Sequence, residues 1–315
     1  MTRTRLTAFA IVLLTGLSAT ASAATLPEAL GNIPSDYAFV AGVNVRQVMA
    51  SPFFAKMLEQ RAMGKDLAEF TARTGLDPAR DVDYLLLAGR NAGAAKPEGL
   101  MILSGTFDRE KILGFFRTGA PGTETEHAGT AVLRMPGGKD GSAANAMAFL
   151  GEREIALGDL ESLEAALDTR SGAKKSVLTN AALASLIGTV DTDAMFWFAA
   201  ESPDLMKAAK LPFPPAMNAS PVKSAAGSFH FGEDVAGTIT ATAADAGAAA
   251  KMAEMVRAAL ALGQMQGAKS PELGMLLRTF TVTQDADRVG LSFDIPGALL
   301  QKLSRSKLPL PPGTL

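Results

Sequence analysis

Short apolar runs alternate with amphipathic stretches along the chain, a pattern that predicts strands followed by helices. The run from Tyr37 to Val45 predicts a strand, and Ser51-Pro52 predicts the start of the next helix. Serine is a common helix cap, and proline suits the first helical position. Residues Gly99 to Phe107 predict another strand, and Asp108 opens the helix that follows it.

The second half of the chain shows the same pattern in the same order. The apolar run from Ala194 to Ala200 precedes Ser202-Pro203, and both halves share the spacing Ser-Pro-x-x-x-Lys. Residues Val235 to Ala243 alternate apolar residues with threonine, as a half-buried strand does. Asp245 then opens a long helix that reaches about Gln266.

A hairpin and a helix end each half. In the first half the two hairpin strands are residues 147–150 and 155–157, and in the second half they are residues 280–283 and 289–295. The matched positions Asp108 and Asp245 are 245 − 108 = 137 residues apart, and Glu152 and Asp285 are 285 − 152 = 133 apart. Three segments match in the same order, and these two offsets are nearly equal, which indicates an internal duplication.

The predicted fold is therefore α+β, with two related units that each form a largely antiparallel sheet covered by helices on one face. We place a signal peptide at residues 1–23, the first unit at 24–170 and the second at 176–305. Residues 171–175 form a short polar linker, and residues 306–315 form a proline-rich tail. In this layout the mature chain resembles exported bacterial families of unknown function with tandem α+β repeats. The resemblance implies no site residues.

The first residues are typical of a secretory signal. Arg3 and Arg5 precede an almost unbroken apolar run from Leu6 to Ala19, and Ala21-Ser22-Ala23 supplies small residues for cleavage before Ala24. About 14 apolar residues are too few for a spanning helix, which needs roughly 20. With no cysteine in the chain, a lipid anchor on a thiol is also excluded. We expect a periplasmic or secreted protein with no transmembrane span after cleavage.

Composition argues against two classes of partner. Removing the two signal arginines changes the formal charge from −2 to −4, whereas a nucleic-acid-binding protein needs a basic face. Carbohydrate binding is also disfavoured, because Trp197, Tyr37 and Tyr84 all lie within apolar runs rather than on exposed platforms.

Catalytic and metal-binding motifs are weak throughout. The two histidines, His127 and His230, lie in strand regions that we interpret as corresponding, and no pair of metal ligands at helical spacing accompanies them. The sequence therefore predicts no metal site and no cofactor. Ser-x-x-Lys occurs at Ser220–Lys223 and Ser304–Lys307, without the companion motifs of penicillin-binding enzymes.

Two pairs of carboxylates flank predicted strand ends and turns. They are Asp81 with Asp83 and Glu152 with Glu154. Charged residues at such positions are usually solvated, so we interpret all four as surface charges.

The long helix after Asp245 carries an apolar stripe at three- and four-residue spacing. The stripe consists of Met252, Met255, Val256, Ala259 and Leu262. Methionine and alanine on one helix face can hold an apolar ligand or a partner helix. An amphipathic helix more often buries such a stripe against a sheet, and we expect Met255 and Leu262 to be core residues.

The sequence favours an exported, non-enzymatic binding or structural module, whose partner is another envelope protein or an apolar ligand. Two alternatives stay open. One is a carrier for an apolar ligand or lipid held on the methionine-bearing helix, and the other is a hydrolase without a recognisable local motif.

Overall fold

The computed structural model describes residues 26–55, 63–90, 99–119, 122–136, 145–201, 222–266 and 271–305. The strands are β1 (Phe39–Asn44), β2 (Val82–Gly89), β3 (Gly99–Gly105), β4 (Thr123–His127), β5 (Thr130–Met135), β6 (Asn145–Phe149), β7 (Glu154–Gly158), β8 (Phe196–Ala200), β9 (Val222–Phe231), β10 (Val235–Ala243), β11 (Phe280–Asp285) and β12 (Arg288–Ile295). The helices are α1 (Leu26–Gly31), α2 (Val45–Ala50), α3 (Met63–Thr74), α4 (Pro78–Asp81), α5 (Arg109–Gly119), α6 (Leu160–Arg170), α7 (Ala181–Ile187), α8 (Ala246–Gln266), α9 (Pro271–Arg278) and α10 (Gly297–Arg305). A turn of 3₁₀ helix spans Val177–Thr179.

The described strands form one continuous sheet in the order β11-β12-β10-β9-β8-β1-β2-β3-β7-β6-β5-β4. Every neighbouring pair is antiparallel. β1 and β8 meet at the centre, where Val40 lies opposite Ala199. Outward from this seam, the order β1-β2-β3-β7-β6 matches the order β8-β9-β10-β12-β11, and the β4–β5 hairpin extends the first half.

The predicted antiparallel α+β class is confirmed, and the local predictions agree with the observed elements. Residues 52–55 are helical, and the backbone N–H of Ala55 donates to the Ser51 carbonyl at 3.0 Å, so a helix does begin at Ser51-Pro52. Four predicted features lie outside the described residues: the continuation of this helix, the matching helix after Ser202, the signal segment and the proline-rich tail.

One face of the sheet, called the α1 face here, is covered in its first half by α1, α6, α7 and the 3₁₀ turn. The sheet contributes Val40, Leu86, Ile102 and Trp197, among other buried side chains. Beyond β9 this face becomes polar, because threonine and serine alternate with the apolar residues of β10, β11 and β12. Thr238 and Thr281 are exposed there.

The opposite face, called the α8 face, also carries helices. In the first half Ile112 of α5 packs on Met147 and Ile155, while in the second half α8 packs on Val289 and its neighbours. The first half thus has helices on both faces of the sheet, α6 on one and α5 on the other. This differs from the expected layer of helices on one face only. Met147 and Ala148 are successive residues of β6 and point to opposite faces, and both are buried.

The centre of the α1 face depends on a close approach at Gly42. The side chains of Trp197 and Tyr84 cross over this glycine, and a Cβ there would lie far inside van der Waals contact with both. The Trp197 indole N–H donates a hydrogen bond to the Tyr84 hydroxyl. Gly42 therefore lets two large side chains from the strands on either side of β1 meet.

Candidate functional site

Helix α8 begins after Asp245, as predicted, and its first residues pack on the sheet. The Asp245 carboxylate accepts a hydrogen bond from the Ala248 N–H at 2.8 Å, and such a cap satisfies a donor that the first helical turn leaves free. Met252 is buried with Ala249 and Ala253 against β10 and β12. Met252 is therefore a core residue and not part of an open face.

The apolar stripe leaves the core towards the end of α8. Met255 and Val256 are half-buried, Ala259 is exposed, and Leu262 has 58% of its surface exposed. The expectation that Leu262 belongs to the core is therefore wrong. At 21 residues α8 is about 31 Å long, and only its first part lies over the sheet residues of that core.

The last residues of α8 form an exposed surface without charge, which we call the α8 tip (residues 258–265). Lys251, Glu254 and Arg257 precede it, and none of its own residues is charged. Met265 is 75% exposed, and on the neighbouring helix α9 Met275 is 41% exposed.

Among the described residues, helix α9 contacts the α8 tip. The Gln264 side-chain amide donates to the Leu277 carbonyl at 3.3 Å, and Gly263 leaves room for the Leu277 side chain, which a Cβ would touch at 2.7 Å. The side chains of Leu262 and Met265 nevertheless stay largely in solvent.

A second candidate is a cleft of about 270 Å³ under α1, which we call the α1 cleft. Asn44, Tyr84 and Ser104 line it from β1, β2 and β3, where they are successive cross-strand neighbours. Leu26 and Ala29 of α1 supply apolar lining, and Arg46 and Asp83 complete the lining.

The polar groups beside the α1 cleft are tightly held. The Tyr84 hydroxyl donates to the Thr192 carbonyl at 3.1 Å, and burial raises its pKa to about 12. Asp83 accepts hydrogen bonds from Arg46 and, at 2.8 Å, from Arg153. The interpretation of Asp83 as a simply solvated charge is therefore wrong.

Glu154 continues the same cross-strand row onto β7, opposite Ser104. Its side chain is buried, and it accepts a hydrogen bond from the Asn32 amide at 3.0 Å. Burial raises the pKa of Glu154, against the lowering effects of Arg170 and Asn32. The surface-charge interpretation is wrong here too, whereas Glu152 is exposed as expected.

The two histidines occupy strands that do not correspond. His127 lies on β4, the edge strand added to the first half, and pairs with Asp168 at 2.7 Å. His230 lies on β9, which matches β2 in the strand order, and pairs with Asp191 at 3.1 Å. Among the described residues no group of three or more acidic, histidine or cysteine side chains could hold a metal ion.

The Ser-x-x-Lys tetrads gain no support as sites. Ser220 and Lys307 are outside the described residues, and the Lys223 ammonium donates to the Ala244 carbonyl at 2.8 Å.

The sequence does not predict the α1 cleft, because its lining comes from α1, three strands and the residues next to them, each without a local motif.

Comparison of the chain with models of known protein families gives no match, and comparison with curated proteins gives none either. Among solved structures, crystal form IV of TP0453 is similar, with a TM-score of 0.50 and 10% identity over 88% of this chain and 96% of that chain. Crystal form I of TP0453 gives a TM-score of 0.51 with the same identity and coverage. At this identity the similarity concerns the fold alone.

Proposed function

We propose that the protein is an exported binding module that packs the α8 tip against an apolar helix of a partner protein. The observation that carries the proposal is the exposure of Leu262 and Met265 on a helix end without charged residues. Isolated exposed apolar residues are ordinary, but several on one uncharged surface mark an interaction site.

Association at this surface has a clear driving force. Burying a fully exposed leucine or methionine contributes about 1.5–3 kcal/mol. Leu262, Met265 and Met275 are 58%, 75% and 41% exposed, so a partner that covers them gains a corresponding part of this stabilisation from each.

A helix is the partner that best fits the composition of the α8 tip. Ala258, Ala259 and Ala261 are exposed beside the two large side chains. The distance between packed helices depends on the side chains at their contact, and alanines permit a close approach. The large side chains can then insert between residues of the partner helix.

The α8 tip is less suitable for the alternative function, a carrier for an apolar ligand or lipid. Ligand pockets enclose most of their ligand, whereas the described part of α8 presents its apolar side chains on an exposed helix. A helix lying in a membrane interface needs a basic face, and the α8 tip has no charge. No described helix is both long and apolar enough to cross a bilayer.

Export and duplication belong to the same proposal. The charged start, the apolar run and Ala21-Ser22-Ala23 support secretion with cleavage before Ala24. The shared strand order of the two half-sheets supports an origin by duplication. Intact-mass measurement of the protein from the cell envelope should give a chain that begins at Ala24.

The test is photo-crosslinking in cells that export the protein. A photoreactive amino acid replaces Leu262, and in the control it replaces Thr281, which is exposed on the opposite face of the sheet. We expect one discrete protein adduct at position 262 and none at position 281. Adding Met265→Glu should abolish the adduct, whereas adding Thr283→Glu should leave it unchanged.

The outcomes separate the candidate functions. An adduct between two copies of the chain identifies the partner helix as its own. A lipid adduct at position 262 supports the carrier and contradicts the proposal, as does an adduct that survives Met265→Glu or the absence of any adduct.

A further inference from the structure

The α1 cleft lies on the face of the sheet opposite α8. It contains polar groups that make no hydrogen bond to the described residues. The Nε of Arg46 donates to Asp83, while its two terminal Nη groups make no hydrogen bond within the described chain. The side chain of Arg46 is 64% exposed. The terminal edge of this guanidinium is therefore available to a ligand.

Two further donors lie beside Arg46 in the lining. The Asn44 side-chain oxygen caps α2 by accepting the Gln47 N–H at 3.1 Å. The amide nitrogen of the same Asn44 side chain can therefore donate to a ligand. Ser104 is a buried residue, yet its hydroxyl lines the cleft and has no hydrogen bond to the described residues. Both groups can donate to an oxygen atom.

The groups left over in the cleft favour an anion, because those of Arg46, Asn44 and Ser104 can all donate hydrogen bonds. Arg46 and Asp83 are the two charged residues of the lining, and the Asp83 carboxylate is already held by Arg46 and by Arg153, which is outside the lining. Asp191 and Asp193 act on Tyr84 from outside the lining. Glu154 is outside the lining as well, and Arg170 and Asn32 are its partners.

The rest of the cleft is apolar and small. Leu26 and Ala29 face it from α1, together with the ring of Tyr84. A volume of about 270 Å³ is near the lower end for ligand pockets. The space suits a compact molecule with a short hydrocarbon part.

We propose that the α1 cleft binds a small organic carboxylate. The carboxylate accepts hydrogen bonds from the Nη groups of Arg46, an arrangement that a guanidinium provides in bidentate form. Asn44 and Ser104 supply donors, and the hydrocarbon part packs on Leu26 and Ala29. This site is independent of the α8 tip, so either proposal can fail without the other.

Binding is tested with three probes of matched size on the purified mature protein. Hexanoate, hexan-1-ol and hexylamine share a hydrocarbon chain and differ in the charge of the head group. Titration followed by NMR chemical shifts should show binding of hexanoate in the low-millimolar range or tighter. Hexan-1-ol should bind more weakly, and hexylamine should not bind.

Two arginine variants locate the interaction. Arg46→Gln should weaken hexanoate binding about tenfold or more, since hydrogen bonds to charged groups are among the stronger ones. Arg80→Gln is the matched control, because Arg80 is also an exposed arginine whose Nε pairs with an aspartate, at 2.7 Å from Asp81. It should leave binding unchanged. Ser104→Ala should weaken binding less than Arg46→Gln.

Three results would overturn the assignment. Equal affinity for all three probes would show that charge plays no part. An equal loss of binding in Arg80→Gln would indicate non-specific attraction. No shift at several millimolar hexanoate, with the wild-type protein folded by circular dichroism, would show that the cleft does not take a carboxylate.

Discussion

The covered part of the α1 face and the α8 tip depart from the usual distribution of residues in opposite directions. The first buries the carboxylate of Glu154, which is 4% exposed, and the second exposes Leu262 and Met265. Buried polar groups and exposed apolar groups are the informative exceptions in a folded chain. Here the same protein contains one region of each kind.

The difference follows from the number of layers that each residue meets. Glu154 lies on a strand in the first half-sheet, beneath helices that cover the α1 face, and its hydrogen bond from Asn32 partly offsets the cost of burial. Leu262 lies near the end of a long helix whose buried contacts are made by Met252 and its neighbours. A region covered on two sides is sensitive to substitution, whereas the end of a surface helix is tolerant.

The largest expected effect is at the covered centre, with Trp197→Ala. Trp197 is fully buried and its indole N–H binds Tyr84. We expect the free energy of unfolding to fall by about 3–5 kcal/mol, the usual range for a buried tryptophan that leaves a cavity. Chemical denaturation measures this. A loss below about 1 kcal/mol would contradict the packing described here.

A smaller effect is expected from Glu154→Gln, and it depends on pH. Burial raises the pKa of Glu154 above its ordinary value of 4.5, so the unfolded chain releases this proton first as pH rises. Wild-type stability should therefore fall as pH rises from the ordinary to the raised pKa and be flat above it. The glutamine variant has no such titration, so its stability relative to wild type should increase from acidic to neutral pH.

Denaturation curves at several pH values measure this difference. Glu126→Gln removes a carboxylate from an exposed position on β4 and is the matched control. If the relative stability of the Glu154→Gln protein is the same at all pH values, the carboxylate is not held in a buried site.

The smallest effect should come from Leu262→Ala at the α8 tip. The side chain is largely solvated, and surface substitutions away from special features usually change stability by less than about 0.5 kcal/mol. The melting temperature of the purified protein should be nearly unchanged. A loss of about 2 kcal/mol or more, typical of a buried leucine, would place Leu262 in the core and remove the contrast between the two regions.

Local features of the chain were predictable to a large extent. Asp108 and Asp245 mark the helix starts, and the polar turns of the β6–β7 and β11–β12 hairpins mark the reversals. Caps, turns and alternation act between residues close in the sequence, so they can be recognised without knowing the fold. The pattern does not predict strands β2 and β9, because β2 is a largely continuous apolar run and β9 mixes small and polar residues, so neither shows the alternation of a half-buried strand.

The candidate sites could be predicted only in part. The stripe on α8 was visible, but Met252 and Leu262 have the same helical spacing and differ only in what lies beside them. The α1 cleft gave no signal, since Asn44, Tyr84 and Ser104 meet only after β1, β2 and β3 pair.

The sequence by itself determined the antiparallel α+β class and the matched order of elements in the two halves, because hydrophobic period and capping are local properties. The tertiary structure alone decided that the halves join through β1 and β8, that Glu154 is buried, and that the α8 tip is exposed. Each of these depends on contacts between residues far apart in the chain. No local pattern records such contacts.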